Sequence, residues 1–285
     1  MADDDDRVVL LTCEDGPVDG DGARSPRGRG FAAWWPGPER VGPRGRDPGG
    51  WPATRVVAVP ARPGRADVDP LLADPGVARL VVAGTDADLA AVLARLLRRN
   101  RLDVEVAYLP AERGSAAARV WGLPHGAAAV ALARRGVARP APLVRDDAGG
   151  VLVGRAEVRG PHGEVYCDGD LVLRGAARRL LVTPWPDTPP IAPPTSGEAA
   201  GPAVAGPAPP AVAVRAGRSA ALPDGRARPL PPTARAGTGS GVGRAVQLGC
   251  LPATVVHDGV VHPRPVTRWA WYRHVADWLL VRPGR

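Results

Sequence analysis

The sequence predicts an α/β unit on a parallel sheet with flanking helices, followed by an antiparallel β-sandwich. Three observations carry this expectation. Up to Gly149, apolar strand-like runs alternate with helical patterns over short links, as a parallel sheet covered by helices requires. After Gly149 the runs are short and strand-like. A length of 285 residues suits two modest domains at roughly 150 residues each, here 1–149 and 150–285.

The first element is Arg7 to Thr12, a β-branched and apolar run that ends in a turn at Cys13 to Gly16. A long irregular loop follows to Gly50, with six Arg between Arg24 and Arg46 and the adjacent pair Trp34 and Trp35. Strands are expected at Thr54 to Val59 and Arg79 to Ala83. The clearest helix comes next: Leu89, Val92, Leu93, Leu96 and Leu97 recur at helical spacing, Asp86 and Asp88 lie in the first turn, and Arg95, Arg98 and Arg99 close the last. Leu102 to Leu109 alternates and predicts a fourth strand, with Leu102, Val104, Val106 and Tyr108 on one face. Short helices are expected at Ser115 to Trp121 and at Ala127 to Arg135, the latter stopped by Gly136.

In the second half, strands are expected at Val151 to Val158, Glu164 to Cys167, Asp170 to Leu173, Arg179 to Thr183, Ala211 to Arg215, Ala245 to Leu248, Ala253 to His257, Thr267 to Tyr272 and Trp278 to Val281. Between Pro184 and Pro210 ten of 27 residues are Pro, so that stretch predicts an extended insertion without a core. Trp269 and Trp271 share a strand face and predict core.

Composition limits the chemistry. All 37 basic residues are Arg, which excludes Schiff-base, general-base and P-loop lysines. The net charge of +8 and the Arg-rich loop leave a nucleic-acid binder as a remote alternative. Three widely spaced cysteines and an acidic start are expected of a cytoplasmic protein, at most peripheral on a membrane. Nothing in the sequence sets an oligomeric state.

Two loops at the carboxyl ends of expected strands are the candidate site. In the first, Gly84 allows close backbone approach and the start of the helix offers free N–H groups to a phosphate; alternatively Thr85 or Asp86 caps that helix. In the second, Gly114 and Ser115 stand at another helix start. Elsewhere, Gly237 to Gly243 (GTGSGVG) misses phosphate-loop spacing and reads as flexible linker, and His257, Asp258 and His262 read as two strands joined by an Asp-Gly turn rather than a metal site.

Pro110 to Pro124 resembles the P-x-G-T-G-N-D-F-A-R-x-x-G-L-P stretch of the diacylglycerol kinase catalytic-domain family of lipid kinases. It matches at Pro110, Gly114, Ala118, Arg119, Gly122, Leu123 and Pro124. Gly84 to Leu93 is similar to that family's G-G-D-G-T-L-N-E-V-L loop, and the stretches from Gly243 to Gln247, through Asp258-Gly259, to Trp278–Val281 are similar to its closing strands. The resemblance implies an NAD-kinase- and diacylglycerol-kinase-like fold. It further implies ATP held by Gly84, Thr85, Asp86, Gly114 and Ser115, magnesium on Asp86, and catalytic roles for Asp86 and Asp258 in transferring the γ-phosphate to a lipid hydroxyl. The departures fall at the chemistry. Thr85, Ala87 and Asp88 replace Gly, Gly and Thr of the first loop; Glu112, Arg113, Ser115 and Ala116 replace Gly-Thr and Asn-Asp of the second. Asp258-Gly259 is followed by Val260 where the family has Glu, and no N-P-x-S-G follows the first strand. These losses imply weak or lost lipid phosphorylation with nucleotide or lipid binding retained, the alternative being an active ATP-dependent lipid kinase.

Overall fold

The computed structural model describes residues 8–14, 55–186, 209–217 and 239–284. The Arg-rich loop with its Trp pair, the acidic start and most of the Pro-rich stretch lie outside the described residues.

The first unit comprises residues Met1–Pro140 and Trp278–Arg285. Its elements are β1 (Val8–Glu14), β2 (Arg55–Pro60), α1 (Arg65–Leu72), β3 (Arg79–Gly84), α2 (Asp86–Arg98), β4 (Glu105–Pro110), α3 (Ala116–Trp121), α4 (Ala127–Arg135) and β5 (Ala138–Ala141). Strand β1 pairs in parallel with β2 and β3, and β3 in parallel with β4. Helix α2 buries Leu89, Val92, Leu93 and Leu96 as the period requires, worth roughly 1.5–3 kcal/mol for each side chain. Leu97 is only half-buried, while Asp88 joins the buried set. Tyr108 and its neighbours on β4 are buried on both faces, since helices cover both sides of a parallel sheet, so the alternation expected there is not what organises the strand. Helix α1, absent from the sequence-based expectations, carries Pro70 inside it, which removes one N–H donor. Arg79 ties β3 to the end of α4: its guanidinium donates to Glu105 (Nε to Oε2, 2.7 Å) and to the Ala133 and Gly136 carbonyls (2.8 and 3.1 Å).

The second unit comprises residues Ala141–Asp277. It is antiparallel β: β6 (Val144–Asp146), β7 (Val151–Leu152), β8 (Ala156–Arg159), β9 (His162–Cys167), β10 (Asp170–Ala176), β11 (Arg179–Pro184), β12 (Val212–Gly217), β13 (Ser240–Gly243), β14 (Ala245–His257), β15 (Val260–Val261) and β16 (Val266–Arg273). The two strands expected at 245–248 and 253–257 are one long strand. Its first half pairs with β9 and β16 and its second half with β8, with a register break between Gly249 and Ala253. One strand serving two arms folds them onto a shared core that includes Val158, Val165, Leu180, Val214, Val246 and the fully buried Trp271.

Residues 240–243, expected as linker, form strand β13. A Cβ at Gly239 would collide with the Val172 carbonyl, and one at Gly243 would stand 2.7 Å from Cys167 Sγ. The alternate glycines are a strand face stripped of side chains so that β9 and β10 can lie against it.

The final strand, β17 (Trp278–Val281), leaves the antiparallel sheet where it was expected and pairs in parallel with β4, Leu279 opposite Glu105 and Leu280 opposite Val106. The first sheet therefore runs β2-β1-β3-β4-β17-β5. Trp278 packs edge-to-face on Trp121, ring centroids 5.7 Å apart. Among the described residues no helix is long and apolar enough to cross a membrane.

Candidate functional site

Strands β3 and β4 end side by side, and the Gly84 carbonyl accepts hydrogen bonds from the Ala111 amide (2.8 Å) and the Tyr108 hydroxyl (3.1 Å). The two loops singled out by sequence are thereby brought together.

In the first loop Thr85 is extended and caps α2, its hydroxyl accepting from the Asp88 amide. Asp88 closes a reciprocal capping box: its Oδ2 accepts from the Thr85 amide (2.7 Å) and hydroxyl (2.8 Å). Its Oδ1 accepts from the Arg62 amide at 2.6 Å. This buried carboxylate lies over Gly84, where an added Cβ would stand 2.6 Å from Asp88 Oδ2 and 3.0 Å from Cys13 Cβ. The room that glycine leaves for a ligand is thus taken by the chain itself. Burial and the Asp88 charge push the Cys13 thiol far above its ordinary pKa, so it is neither a nucleophile nor a ready metal ligand.

Asp86 does not cap its own helix, which corrects one of the two expectations for it. Its carboxylate turns to the second loop and caps α3. Oδ1 accepts from the Tyr108 hydroxyl (3.0 Å) and the Ser115 hydroxyl (2.5 Å), and Oδ2 from the amides of Ala116 (2.7 Å) and Ala117 (3.2 Å). The Ser115 oxygen also accepts from the Ala118 amide at 2.9 Å. Of the roughly four acceptor sites of a carboxylate, three on Asp86 take the Ser115 hydroxyl and the two amides, and the single Tyr108 proton is shared between Asp86 and the Gly84 carbonyl. Burial first, then the neighbouring Asp86 charge, raises the Tyr108 hydroxyl well above its ordinary pKa, so it stays a donor.

As they stand, these residues are hydrogen-bonded to one another at the place where the sequence resemblance implies a nucleotide and magnesium. A magnesium ion is bound through one or two carboxylates together with substrate phosphates. Here Asp86 would have to give up hydrogen bonds from the Ser115 hydroxyl or the α3 amides to take part in holding the ion. Gly114 is exposed with open space where a Cβ would stand, but the donors behind it are spent on Asp86 and Ser115. Tyr108 was read only as a strand residue. Its position two before Pro110, at the carboxyl end of a buried strand, was the available signal.

Asp258 belongs to the second unit and is held by it. In a left-handed conformation at the β14–β15 turn, it accepts from the amides of Val153 (3.0 Å), Gly154 (2.8 Å) and Arg155 (2.8 Å). Asp168, at the equivalent Asp-Gly turn between β9 and β10, does the same with the amides of Arg244 and Ala245. Both are hairpin aspartates that clamp a neighbouring segment. His257 lies between Asp146 (Nε2 to Oδ2, 3.3 Å) and Asp258 (Nδ1 to Oδ2, 3.6 Å), whereas the His262 ring packs on Trp269.

Three solved structures bear on the fold, all from Bacillus anthracis str. Sterne. A diacylglycerol kinase matches with a TM-score of 0.55 and 12% identity over 98% of this chain and 97% of its own. Two putative diacylglycerol kinases match with TM-scores of 0.56 and 0.57 at 11% identity, each pair of chains covered to 97% or more. The chain has the diacylglycerol kinase fold. No protein-family model matches the sequence, and no curated protein does. Within this kinase-like fold, the two loops that face each other at the ends of β3 and β4 are each closed by a carboxylate of the chain.

Proposed function

We propose that this chain is a diacylglycerol-kinase-like protein in which ATP-dependent phosphoryl transfer is weak or lost and lipid binding is what the scaffold retains. The observation that carries the reading is the engagement of Asp86 by the Ser115 loop. The charge of Asp86 engages the donors at the start of α3, and a nucleotide phosphate brought there meets two carboxylates, Asp86 and Asp88. Phosphoryl transfer rests on positioning and on stabilising negative charge, so a site lined by its own anions works against it. The lipid class follows from the diacylglycerol kinases whose fold the chain shares.

Thermal unfolding with MgATP, together with turnover assays on diacylglycerol vesicles, tests this. A ligand at 100 times its dissociation constant stabilises a protein by about 2.7 kcal/mol. The expected result is no such shift, no more than trace phosphorylation, and co-sedimentation with vesicles. Steady phosphorylation of the lipid that disappears in Asp86→Ala would overturn the reading in favour of an active kinase.

A further inference from the structure

Away from the loops, α1 and α2 pack with four charged side chains along their seam. Asp69 is engaged by Arg95 through both oxygens, Nε to Oδ1 at 2.8 Å and Nη2 to Oδ2 at 2.7 Å. This fork satisfies the carboxylate. Two more guanidinium groups lie at the limit of ion-pair distance from the same oxygen, Arg65 Nε at 3.9 Å and Arg99 Nε at 4.0 Å. Three arginines thus share one acid, and among the described residues no hydrogen bond engages the Arg65 or Arg99 side chain. Both are open to solvent, with side-chain exposures of 86% and 48%. They flank an open groove of about 480 Å³ that Ala66 and Pro70 also line. Arg65 moreover occupies the first turn of α1, where a cation faces the positive end of the helix dipole.

We propose that this groove is a phosphate-monoester site, with Arg65 and Arg99 donating to the phosphate and Ala66 and Pro70 bearing its organic substituent. Three guanidinium groups against one carboxylate leave a net charge of about +2, which matches the roughly two negative charges of a monoester, and the planar forks of Arg65 and Arg99 suit its oxygens. Asp69, held by Arg95, fixes the floor and keeps both cations near the groove. The site lies apart from the Asp86 loop and stands whether or not phosphoryl transfer is retained.

The test uses the full chain and the variant Arg65→Gln/Arg99→Gln, whose two positions are exposed, with thermal unfolding checking that its fold is kept. Calorimetric titration with inorganic phosphate and with glycerol phosphate probes the soluble source. Co-sedimentation with phosphatidylcholine vesicles containing phosphatidic acid, against vesicles carrying equal charge as phosphatidylserine, probes the membrane-borne one. We expect saturable binding in at least one arm, weakened about tenfold or more in the double variant and unchanged in Arg174→Gln, which alters an exposed arginine of the second unit. Binding of soluble phosphates assigns a soluble ligand, and preference for phosphatidic acid vesicles alone assigns a lipid headgroup. No saturable binding in either arm, equal binding to the two charged vesicles without soluble binding, or full binding by the double variant would overturn the proposal.

Discussion

The Ser115 hydroxyl donates to Asp86 Oδ1 at 2.5 Å, linking the loop after β4 to the loop after β3. Ser115 is buried, and its oxygen simultaneously caps α3. The pair places a fixed negative charge where the fold presents backbone donors, and this internal anion is the main physical difference between these loops and ones that receive a phosphate.

Replacing Asp86 therefore tests structure before it tests chemistry. Asp86→Ala removes the acceptor of two hydroxyls and two amides, and buried donors left unpaired cost about 1–3 kcal/mol each unless water replaces the carboxylate. Because Asp86 is partly exposed, water makes up some of the loss. We expect urea unfolding to show a net destabilisation of about 2–4 kcal/mol, more than the ~1 kcal/mol typical of a lost helix cap. A loss below about 0.5 kcal/mol would show that these bonds do not hold the two loops.

Gly84→Ala is expected to destabilise by about 1–3 kcal/mol, because its Cβ would press on Asp88 Oδ2 and Cys13 Cβ. Asp88→Ala removes one of the two obstructions while breaking the capping box. The double variant should then be more stable than the sum of the single losses predicts, and a double-mutant cycle in denaturant reads that coupling. Strict additivity would mean that Asp88 does not fill the space over Gly84.

Gly243→Ala probes the glycine-faced strand. Its Cβ would lie 2.7 Å from Cys167 Sγ and 2.8 Å from the Asp168 carboxyl group, so we expect a loss of about 1–3 kcal/mol. Ser240→Ala, on an exposed position of the same strand, should change stability by less than about 0.5 kcal/mol. Equal tolerance at both positions would restore the linker reading.

How much of this was legible in the sequence varies with the physics involved. Helix α2 was, because an apolar stripe, acids at its start and arginines at its end all point the same way. So was the Asp-Gly turn at 258–259, whose two residues take positive φ of 47° and 87°. Glycine at alternate positions hid β13, since a strand recognised by its side chains vanishes when one face has none. Pro70 hid α1 in the same manner. At the candidate site the sequence located both loops and both carboxylates. It did not show which donors each carboxylate would capture, because Asp86 meets Ser115 across 29 positions of chain, a pairing that only the parallel register of β3 and β4 creates.

Asp69 gives a pH-dependent prediction. The hydrogen bonds from Arg95, reinforced by the charges of Arg95, Arg99 and Arg65, hold its carboxyl below the ordinary carboxylate range despite some opposing desolvation. A carboxyl with a depressed folded pKa contributes stability that is present above its unfolded pKa of about 3.9 and is lost as pH falls through the folded value. The stability gap between the natural chain and Asp69→Asn should therefore be full at neutral pH and shrink below about pH 4. Denaturant titrations at pH 7, 4 and 3 measure it, and a gap that widens on acidification would contradict the assignment.

The last prediction concerns the strand that closes the first sheet from the far end of the sequence. Strand β17 lies between β4 and β5, so its removal leaves β4 with an unpaired edge. Trp278 is 2% exposed and stands edge-on to Trp121, which anchors α3 and hence the Ser115 loop at the start of that helix. Large-to-small changes at such an aromatic cost about 3–5 kcal/mol through lost contacts and the cavity left behind. Trp278→Ala is thus expected to destabilise the first unit by that amount, and deletion of residues 278–285 to abolish its cooperative unfolding. Hydrogen exchange locates the effect: protection should fall at the amides of Val106 to Leu109 on β4, while those of β8 and β11 in the second unit keep theirs. Loss of protection confined to the second unit would show instead that the closing strand stabilises the antiparallel sheet, as its sequence position had suggested.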